Sequence, residues 1–168
     1  MKISIVVAMA DNSAIGANGK LLWRLPKDMQ YFKEVTWGHH VLMGRKTWDS
    51  IPPKFSPLPG RVNIIVTRQK GYVSEGAIVV ESVEDGIEIA RRAGEQELMI
   101  IGGGEIYKQA LPLTKKIYLT KVHHTFTDAD TFFPELDMEQ WSTLNGEWNM
   151  ADEKNEFDFE FIVLERKG

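Results

Sequence analysis

Short apolar segments recur along this chain, and most of them are followed by a segment with helical spacing. Residues 3–10 form a continuous apolar run, which is typical of a strand buried on both faces of a sheet. Further apolar runs predict strands at 41–43, 62–67, 77–80 and 98–101. Because strands that alternate with helices usually pair in parallel, this pattern constrains the fold to a mostly parallel sheet.

The remaining segments complete the predicted architecture. Helical spacing predicts helices at 26–37, 46–50, 83–93 and 105–111. Residues 116–123 alternate as a strand does, and residues 141–166 indicate two long strands around a polar turn at 152–155. We therefore expect an α/β fold of three layers, with a central, mostly parallel sheet of about eight strands, an antiparallel C-terminal hairpin and helices on both faces.

Composition limits the classes of function open to this chain. Its 168 residues, of which 43% are hydrophobic, suit a single domain covering residues 1–168. The net charge of -4 argues against a nucleic-acid binder and against a cationic membrane surface. The absence of cysteine excludes disulfides, thiolate metal sites and cysteine nucleophiles. With no signal peptide and no apolar run long enough to span a bilayer, we expect a protein of the cytoplasm. A monomer is the simplest expectation for its assembly.

Asp28 is an acid on what should be the apolar face of the first helix. Pro26 suits the first position of a helix, and Leu25, Met29 and Phe32 then recur at helical spacing. Asp28 precedes Phe32 by one turn and so points the same way. A carboxylate among apolar side chains costs free energy unless a specific group binds it. Asp28 is therefore either a first-turn acid that complements the helix dipole or a site residue.

Three consecutive glycines follow the strand predicted at 98–101. Gly102, Gly103 and Gly104 lead directly into the helix that starts at Glu105. Glycine lets backbone N–H groups approach a pyrophosphate closely, and a helix N-terminus favours an anion. A tight turn alone needs fewer glycines, so the run favours a phosphate site. Its spacing differs from G-x-G-x-x-G, and an ordinary Rossmann domain is therefore not indicated.

Basic side chains follow two other predicted strands. Arg45 and Lys46 come after the strand at 41–43, and Arg68 comes after the strand at 62–67. Ligands of open α/β sheets bind beyond the carboxyl ends of the strands, where these cations should meet. Each cation alone is most simply a solvated loop residue, but the set indicates an anion site. Arginine there suits the 2′-phosphate that distinguishes NADP from NAD.

In their order and spacing these features resemble the dihydrofolate reductase family from near the start of the chain to its end. The matching stretches are 15–16, 23–28, 32–33, 43–48, 50–51, 57–61, 63–65, 101–104, 106–107 and 130–134. The resemblance implies NADPH-dependent reduction of 7,8-dihydrofolate to 5,6,7,8-tetrahydrofolate for one-carbon metabolism and thymidylate synthesis. Hydride would move from nicotinamide C4 to pteridine C6, and a proton would arrive at N5. Methotrexate and trimethoprim are the implied inhibitors.

The resemblance also implies the substrate site. Asp28 would bind the 2-amino group and N3 of the pterin with support from Thr120, while Trp23 would hold a water molecule nearby. Arg61 would pair with the α-carboxylate of the glutamate tail, and Leu21 completes the implied catalytic set. The other implied substrate contacts are Val6, Val7, Met29, Phe32, Lys33, Ile51, Leu58, Ile101 and Tyr107.

The cofactor site is implied in the same way. Ala8 and Ile101 would lie beside the nicotinamide, and residues 15–21 correspond to a mobile loop that closes over it. The peptide bond between Gly102 and Gly103 is cis in the family. The other implied cofactor contacts are Ile15, Gly16, Gly19, Lys20, Gly44, Arg45, Lys46, Thr47, Thr67, Arg68, Gln69, Gly104, Glu105, Ile106 and Tyr107. Because a carboxylate next to phosphate is unfavourable, the side chain of Glu105 is expected to face solvent.

Two other functions share part of this pattern. The reductase of riboflavin biosynthesis has the same fold and uses NADPH, and a non-catalytic module that senses NADPH would keep the glycine run and the cations. Asp28 and Arg61 fit a pterin and a glutamate tail, which neither alternative requires. Both are therefore less favoured than a dihydrofolate reductase.

Two pairs of adjacent histidines, at 39–40 and 123–124, raise the question of a metal site. Neighbouring residues of a strand point to opposite faces, and no cysteine is present to complete a ligand set. We therefore expect no metal.

Overall fold

The structure is a computed structural model that describes all of residues 1–168. The strands are β1 (Lys2–Ala10), β2 (Ala14–Gly16), β3 (His40–Gly44), β4 (Val62–Val66), β5 (Ala77–Val80), β6 (Glu97–Gly102), β7 (Lys116–Val122), β8 (Thr131–Phe132), β9 (Trp141–Asn149) and β10 (Phe159–Arg166). The helices are α1 (Pro26–Thr36), α2 (Arg45–Ser50), α3 (Val83–Arg92) and α4 (Gly104–Ala110), with short 3-10 turns at Pro53–Phe55, Leu111–Leu113 and Met138–Gln140. No helix has the length and apolar character that a membrane crossing requires.

Eight of the strands form one sheet, in the order β5-β4-β3-β6-β1-β7-β10-β9. The first six strands in this order pair in parallel. The strand β10 is antiparallel to both β7 and β9. The prediction of about eight strands with an antiparallel C-terminal hairpin is therefore confirmed.

Helices cover both faces of the sheet. On one face, Ile87 of α3 and Ile106 of α4 belong to the same buried cluster as Ile5 of β1. On the other face, Trp48 of α2 is buried with Val6, the next residue of β1. Because successive residues of a strand point to opposite faces, these two clusters are separate layers. The predicted three-layer arrangement is confirmed.

Two short strands were not predicted. The strand β2 lies within the segment predicted to be a loop, and it pairs antiparallel with β8 outside the main sheet. A strand of two or three residues contains no complete apolar alternation, so its sequence carries no periodic signal. This pair fastens the loop after β1 to the segment before β9.

The N-terminus of α1 is capped from a distant part of the chain. Leu25 occupies the cap position and provides no side-chain hydrogen bond. Instead, the Oδ1 atom of Asn155 accepts a hydrogen bond of 3.2 Å from the backbone N–H of Lys27. The carboxylate of Glu156 accepts one of 2.8 Å from the backbone N–H of Arg24. The connection between β9 and β10 therefore holds the first turn of α1, which carries Asp28.

Candidate active site

Asp28 contacts Thr120 near the carboxyl ends of the neighbouring strands β1 and β7. The hydroxyl of Thr120 donates a hydrogen bond of 2.6 Å to the Oδ1 atom of Asp28. Thr120 is buried, and it pairs with Ala8 of β1. Helix α1 and strands β1 and β7 thus bring Asp28 and Thr120, which the sequence analysis assigned to the substrate, close to Ala8, which it assigned to the nicotinamide.

The environment of Asp28 changes its acidity. Burial raises the pKa of its carboxyl from 3.8 to about 6, and the hydrogen bond from Thr120 offsets part of that rise. Burial also raises the pKa of Tyr107, and the charge of Asp28 contributes to the increase. The carboxylate is poised to gain a donor partner, since a bound N–H group would stabilise its charged form.

Most of the apolar residues assigned to the substrate lie on one wall. One cluster on the α1 side of the sheet contains Val6, Phe32, Ile51, Leu58 and Ile101. Met29 is outside it, with 60% of its surface exposed, and Val7 points to the opposite face of the sheet. The predicted apolar stripe of α1 is therefore only partly covered, because the helix borders an open cleft and buries only Thr36 completely.

Trp23 and Tyr107 support the strands that border the site. Trp23 is buried, with its ring 5.6 Å from the ring of Phe126. The hydroxyl of Tyr107 donates a hydrogen bond of 2.8 Å to the backbone carbonyl of Val6. Leu21, in contrast, lies in the loop before α1 with 69% of its surface exposed.

The residues assigned to the glutamate tail lie at the other end of α1. The guanidinium of Arg61 donates a hydrogen bond of 3.1 Å to the hydroxyl of Thr36. Its Cζ atom lies 5.7 Å from the ring centre of Trp37, and the Nζ atom of Lys33 lies 5.5 Å from the same centre. Sequence reasoning missed Thr36 and Trp37, because their contacts depend on a turn that brings residues 59–61 against the end of α1.

A second cleft lies beyond the ends of β3 and β4, beside α4. It has a volume of about 610 Å³, and the assigned residues that line it are Gly44, Arg45, Lys46, Thr67, Arg68, Glu105 and Ile106. Sequence reasoning missed Glu81, Ser82, Glu84 and Gln109, which also line it. The signal for Glu81, Ser82 and Glu84 was their position after β5, whose carboxyl end faces the same edge of the sheet, whereas Gln109 lies on α4. Glu105 is exposed and also lines this cleft, and its carboxylate accepts a hydrogen bond of 3.3 Å from Gln109.

The cations of this cleft differ in their partners. The guanidinium of Arg45 forms an ion pair of 2.6 Å with Asp49. Arg68 is exposed and forms no ion pair. Gln69 lies just beyond the cleft, with its backbone N–H bonded to the hydroxyl of Thr67 at 3.1 Å. Arg68 is therefore available to a ligand, as is Lys46, which is also exposed and forms no ion pair.

The glycine run lies at the end of β6 and leads into α4, beside the second cleft. The peptide bond between Gly102 and Gly103 is cis, as the resemblance implied. A Cβ atom on Gly103 would lie 3.3 Å from the hydroxyl of Thr47, and one on Gly104 would lie 3.0 Å from Thr131. The glycines therefore leave a cradle that side chains would fill. A glycine-lined floor beside three cations fits a dinucleotide with phosphate groups.

The loop predicted to close over the nicotinamide is tied to the segment before β9. The carboxylate of Asp130 accepts a hydrogen bond of 2.8 Å from the backbone N–H of Asn18, and its own N–H bonds to the carbonyl of Gly16 at 3.1 Å. Ile15 packs against the core, whereas Gly19 and Lys20 are exposed. Two hydrogen bonds thus define the position of the loop's first half.

The two histidine rings at 39–40 point towards the same carboxylate, whereas the sequence analysis expected them on opposite faces of a strand. The Nδ1 atoms of His39 and His40 lie 3.0 Å and 2.7 Å from the two carboxylate oxygens of Glu95. The rings converge because His39 precedes β3 and does not follow the alternation of a strand. This cluster joins the starts of β3 and β6, at the sheet edge opposite both clefts.

Comparison with known proteins agrees with this geometry. The dihydrofolate reductase family profile matches residues 2–166. A dihydrofolate reductase of Bacillus subtilis is 41% identical over 166 residues, covering 99% of this chain and 95% of that protein. One of Haemophilus influenzae is 42% identical over 167 residues, covering 99% of this chain and all of that protein.

A solved structure is similar over nearly the whole chain. It is the dihydrofolate reductase from Enterococcus faecalis complexed with NADP(H) and RAB-propyl, with a TM-score of 0.88 and 34% sequence identity. The match covers 99% of this chain and 97% of that protein. On the evidence of sequence and structure together, the chain belongs to the dihydrofolate reductase family.

Proposed function

We infer that this protein reduces 7,8-dihydrofolate to 5,6,7,8-tetrahydrofolate with NADPH as the hydride donor. The observation that carries the inference is the pairing of Asp28 with Thr120 beside an apolar wall. A polar pair of this kind at an apolar wall suits a flat heterocycle with N–H groups on one edge. The glycine-lined cleft for a dinucleotide adjoins it.

In the proposed mechanism, Asp28 recognises the pterin edge. Its two carboxylate oxygens accept hydrogen bonds from the 2-amino group and N3, a bidentate geometry that a carboxylate suits. The hydrogen bond from Thr120 leaves the second oxygen, Oδ2, free for this purpose. The negative charge also favours a proton at N5, which water supplies because Asp28 binds the opposite edge of the ring.

The cofactor residues position the hydride donor. NADPH, when bound, would supply hydride from nicotinamide C4 to pteridine C6. Ala8 at β1 and Ile101 at β6 would provide an apolar floor for the nicotinamide, and the glycine run would allow close approach of the pyrophosphate. Arg45, Lys46 and Arg68 would hold the 2′-phosphate. Closure of the loop at residues 15–21 excludes water from the reacting atoms.

The proposed function also implies inhibitors, and we add proposals for the assembly and the compartment of the protein. Methotrexate and trimethoprim carry amino-substituted heterocycles that fit a buried carboxylate, so both are proposed to compete with dihydrofolate at Asp28. One domain over residues 1–168 is proposed because the eight-stranded sheet contains strands from both ends of the chain. A monomer is proposed as the simplest assembly. The lack of cysteine fits the reducing cytoplasm.

The test is the loss of absorbance at 340 nm when purified protein is mixed with NADPH and dihydrofolate. The proposal expects a loss that requires both compounds and stops when methotrexate is added. An unchanged absorbance in the presence of intact NADPH binding, measured by fluorescence, would overturn it. In that case the pyrimidine substrate of the riboflavin reductase would be tried with the same protein.

A further inference from the structure

Trp37 is a large aromatic residue that the proposed mechanism does not use. It follows the last residue of α1, and half of its surface is exposed. Its indole ring lies beside two cations, at 5.5 Å from Lys33 and 5.7 Å from Arg61. An exposed tryptophan beside the arginine assigned to the substrate tail suggests a role in that part of the site.

The indole is held against the turn that carries Arg61. The backbone N–H of Gly38 donates a hydrogen bond of 2.9 Å to the carbonyl of Gly60. A Cβ atom on Gly60 would lie only 2.4 Å from the nearest atom of the Trp37 ring. The ring therefore rests directly on the backbone of Gly60, and only glycine permits this contact. A smaller side chain at position 37 would remove this contact with the residue next to Arg61.

The hydrogen bonds of Arg61 define which part of its guanidinium is available. Its Nε–H donates to the carbonyl of Pro59 at 2.8 Å, and its Nη1 donates to the hydroxyl of Thr36 at 3.1 Å. That hydroxyl uses its own hydrogen to bond the carbonyl of Phe32 at 2.8 Å, so it can only accept from Arg61. The remaining N–H groups, on Nη2 and the other side of Nη1, form the outer end of the fork, which suits a carboxylate.

We propose that Trp37 is a specificity-determining positioning residue, whose indole holds the Arg61 guanidinium in the orientation that binds the carboxylate tail of the substrate. The inference rests on the proposed function, in which Arg61 is the tail site. Two hydrogen bonds and the ring together restrict the side chain before substrate arrives. A preorganised arginine loses less freedom when it binds, and the gain belongs only to substrates that carry the carboxylate.

The experiment compares two substrates in variants of Trp37. Steady-state kcat and KM are measured for dihydrofolate and for a dihydropterin of the same ring system without the glutamate tail. Trp37→Leu removes the aromatic ring, and Trp37→Phe keeps a smaller one. The matched control is Trp148→Leu, since Trp148 on β9 is also about half exposed and its ring stacks on the ring of His123.

The expected result is a rise in KM for dihydrofolate of about two- to fivefold in Trp37→Leu, as the loss of one exposed cation–π contact predicts. Trp37→Phe should raise it less. The KM for the tail-less pterin, both kcat values and the melting temperature should stay near those of the wild type. In an Arg61→Ala background, Trp37→Leu should have no further effect on KM, because the group that it positions is gone.

Two results would overturn the inference. One is an equal change in KM for both substrates, and the other is an undiminished effect of Trp37→Leu in the Arg61→Ala background. If the wild-type protein turns over neither pterin, the proposed function fails and this inference fails with it. Turnover of both pterins by the wild type, with no selective change in Trp37→Leu, overturns the role of Trp37 alone.

Discussion

At the scale of single residues, each of the two charged side chains assigned to substrate binding forms a hydrogen bond with a threonine. Thr120 donates to the carboxylate of Asp28, and Thr36 accepts from the guanidinium of Arg61. Both threonines are buried, with 2% and 0% of their surfaces exposed. A buried hydroxyl that bonds one atom of a charged group fixes its direction and leaves its other atoms free for a ligand.

The raised pKa of Asp28 predicts that the charged form of this carboxyl destabilises the folded, ligand-free protein. The folded-state pKa of about 6 lies above the value of 3.8 expected in the unfolded chain. The contribution of Asp28 to stability is thus largest below pH 4 and is lost as the pH rises through 6. Asp28→Asn should stabilise the ligand-free protein at pH 8, by about 1–3 kcal/mol at 1.36 kcal/mol per pKa unit.

Melting curves of the two proteins at pH 8 and pH 4 check this expectation. The difference in melting temperature should be largest at pH 8 and should shrink at pH 4, where the wild-type carboxyl is protonated. A variant less stable than the wild type at both pH values would contradict the burial cost assigned to Asp28.

Arg68 predicts the cofactor preference. It lines the second cleft without an ion pair of its own, whereas Arg45 is paired with Asp49. Arg68→Ala should weaken NADPH binding by roughly tenfold, the scale of one charge-assisted hydrogen bond, and should leave NADH binding unchanged. Titration of cofactor fluorescence measures both affinities, with Lys70→Ala on the same loop as the control. Equal losses for NADPH and NADH would move the 2′-phosphate site elsewhere.

The sequence predicted some of these residues better than others. Asp28 could be identified as unusual because it interrupts an apolar stripe, and the cations could be placed because they follow strands. The positions of Trp37 and Thr36 depend on the turn at residues 59–61, which lies far along the chain and has no periodic signal. Local patterns report the element a residue belongs to, whereas such contacts depend on tertiary packing.

At the scale of elements, α1 depends on the C-terminal hairpin. Its own cap position is Leu25, which has no side-chain acceptor, and Asn155 provides the missing bond to Lys27. Asn155 is itself held by Asp152, which accepts from both its backbone and side-chain N–H groups at 2.8 Å and 2.9 Å. A search for capping residues next to Pro26 could not find this arrangement, because 128 residues separate the partners.

Asn155→Ala should therefore cost about 1 kcal/mol of stability, as the loss of a helix cap does. It should also lower the catalytic rate with dihydrofolate, because the first turn of α1 carries Asp28. Urea unfolding and the 340 nm assay measure the two effects. Asn145→Ala is the control, since Asn145 is exposed on β9 and its side chain bonds only the adjacent Gly146. Equal effects of the two substitutions would remove the capping role.

At the scale of the whole molecule, the edge of the sheet formed by the carboxyl ends of its parallel strands is functional. The edge formed by their amino ends is structural. The clefts lie beyond the carboxyl ends of the parallel strands, where ligands of such sheets bind. The opposite edge carries Glu95, which joins His39 and His40 at the start of β3. Burial raises the pKa of Glu95, but hydrogen bonds from the histidines and from backbone amides outweigh this and lower it to about 2.

The depressed pKa of Glu95 predicts how acid affects stability. Its folded-state pKa lies below the unfolded value of 4.5, so its contribution is present above pH 4.5 and is lost as the pH falls towards 2. Glu95→Gln should lower stability at pH 7 by about 1 kcal/mol after allowance for solvent screening. It should also flatten the dependence of melting temperature on pH between 4.5 and 2.

The control for this prediction is Glu88→Gln, which breaks only exposed ion pairs on α3. It should change the melting temperature little, and both variants should keep the wild-type KM for dihydrofolate. A change in KM in Glu95→Gln would contradict the separation of the two edges.

The overall fold could be predicted because strands alternate with helices throughout the chain. The short β2 and β8 pair could not, because strands of two or three residues carry no periodic signal.

The most direct test of the central claim is the turnover of Asp28→Asn with NADPH and dihydrofolate at neutral pH. If Asp28 recognises the pterin and supports protonation at N5, turnover should fall by at least about a hundredfold, a loss typical of removing a preorganised electrostatic group. NADPH affinity should remain that of the wild type, because Asp28 lies outside the dinucleotide cleft. Turnover near the wild-type rate, or a parallel loss of NADPH binding, would contradict the account.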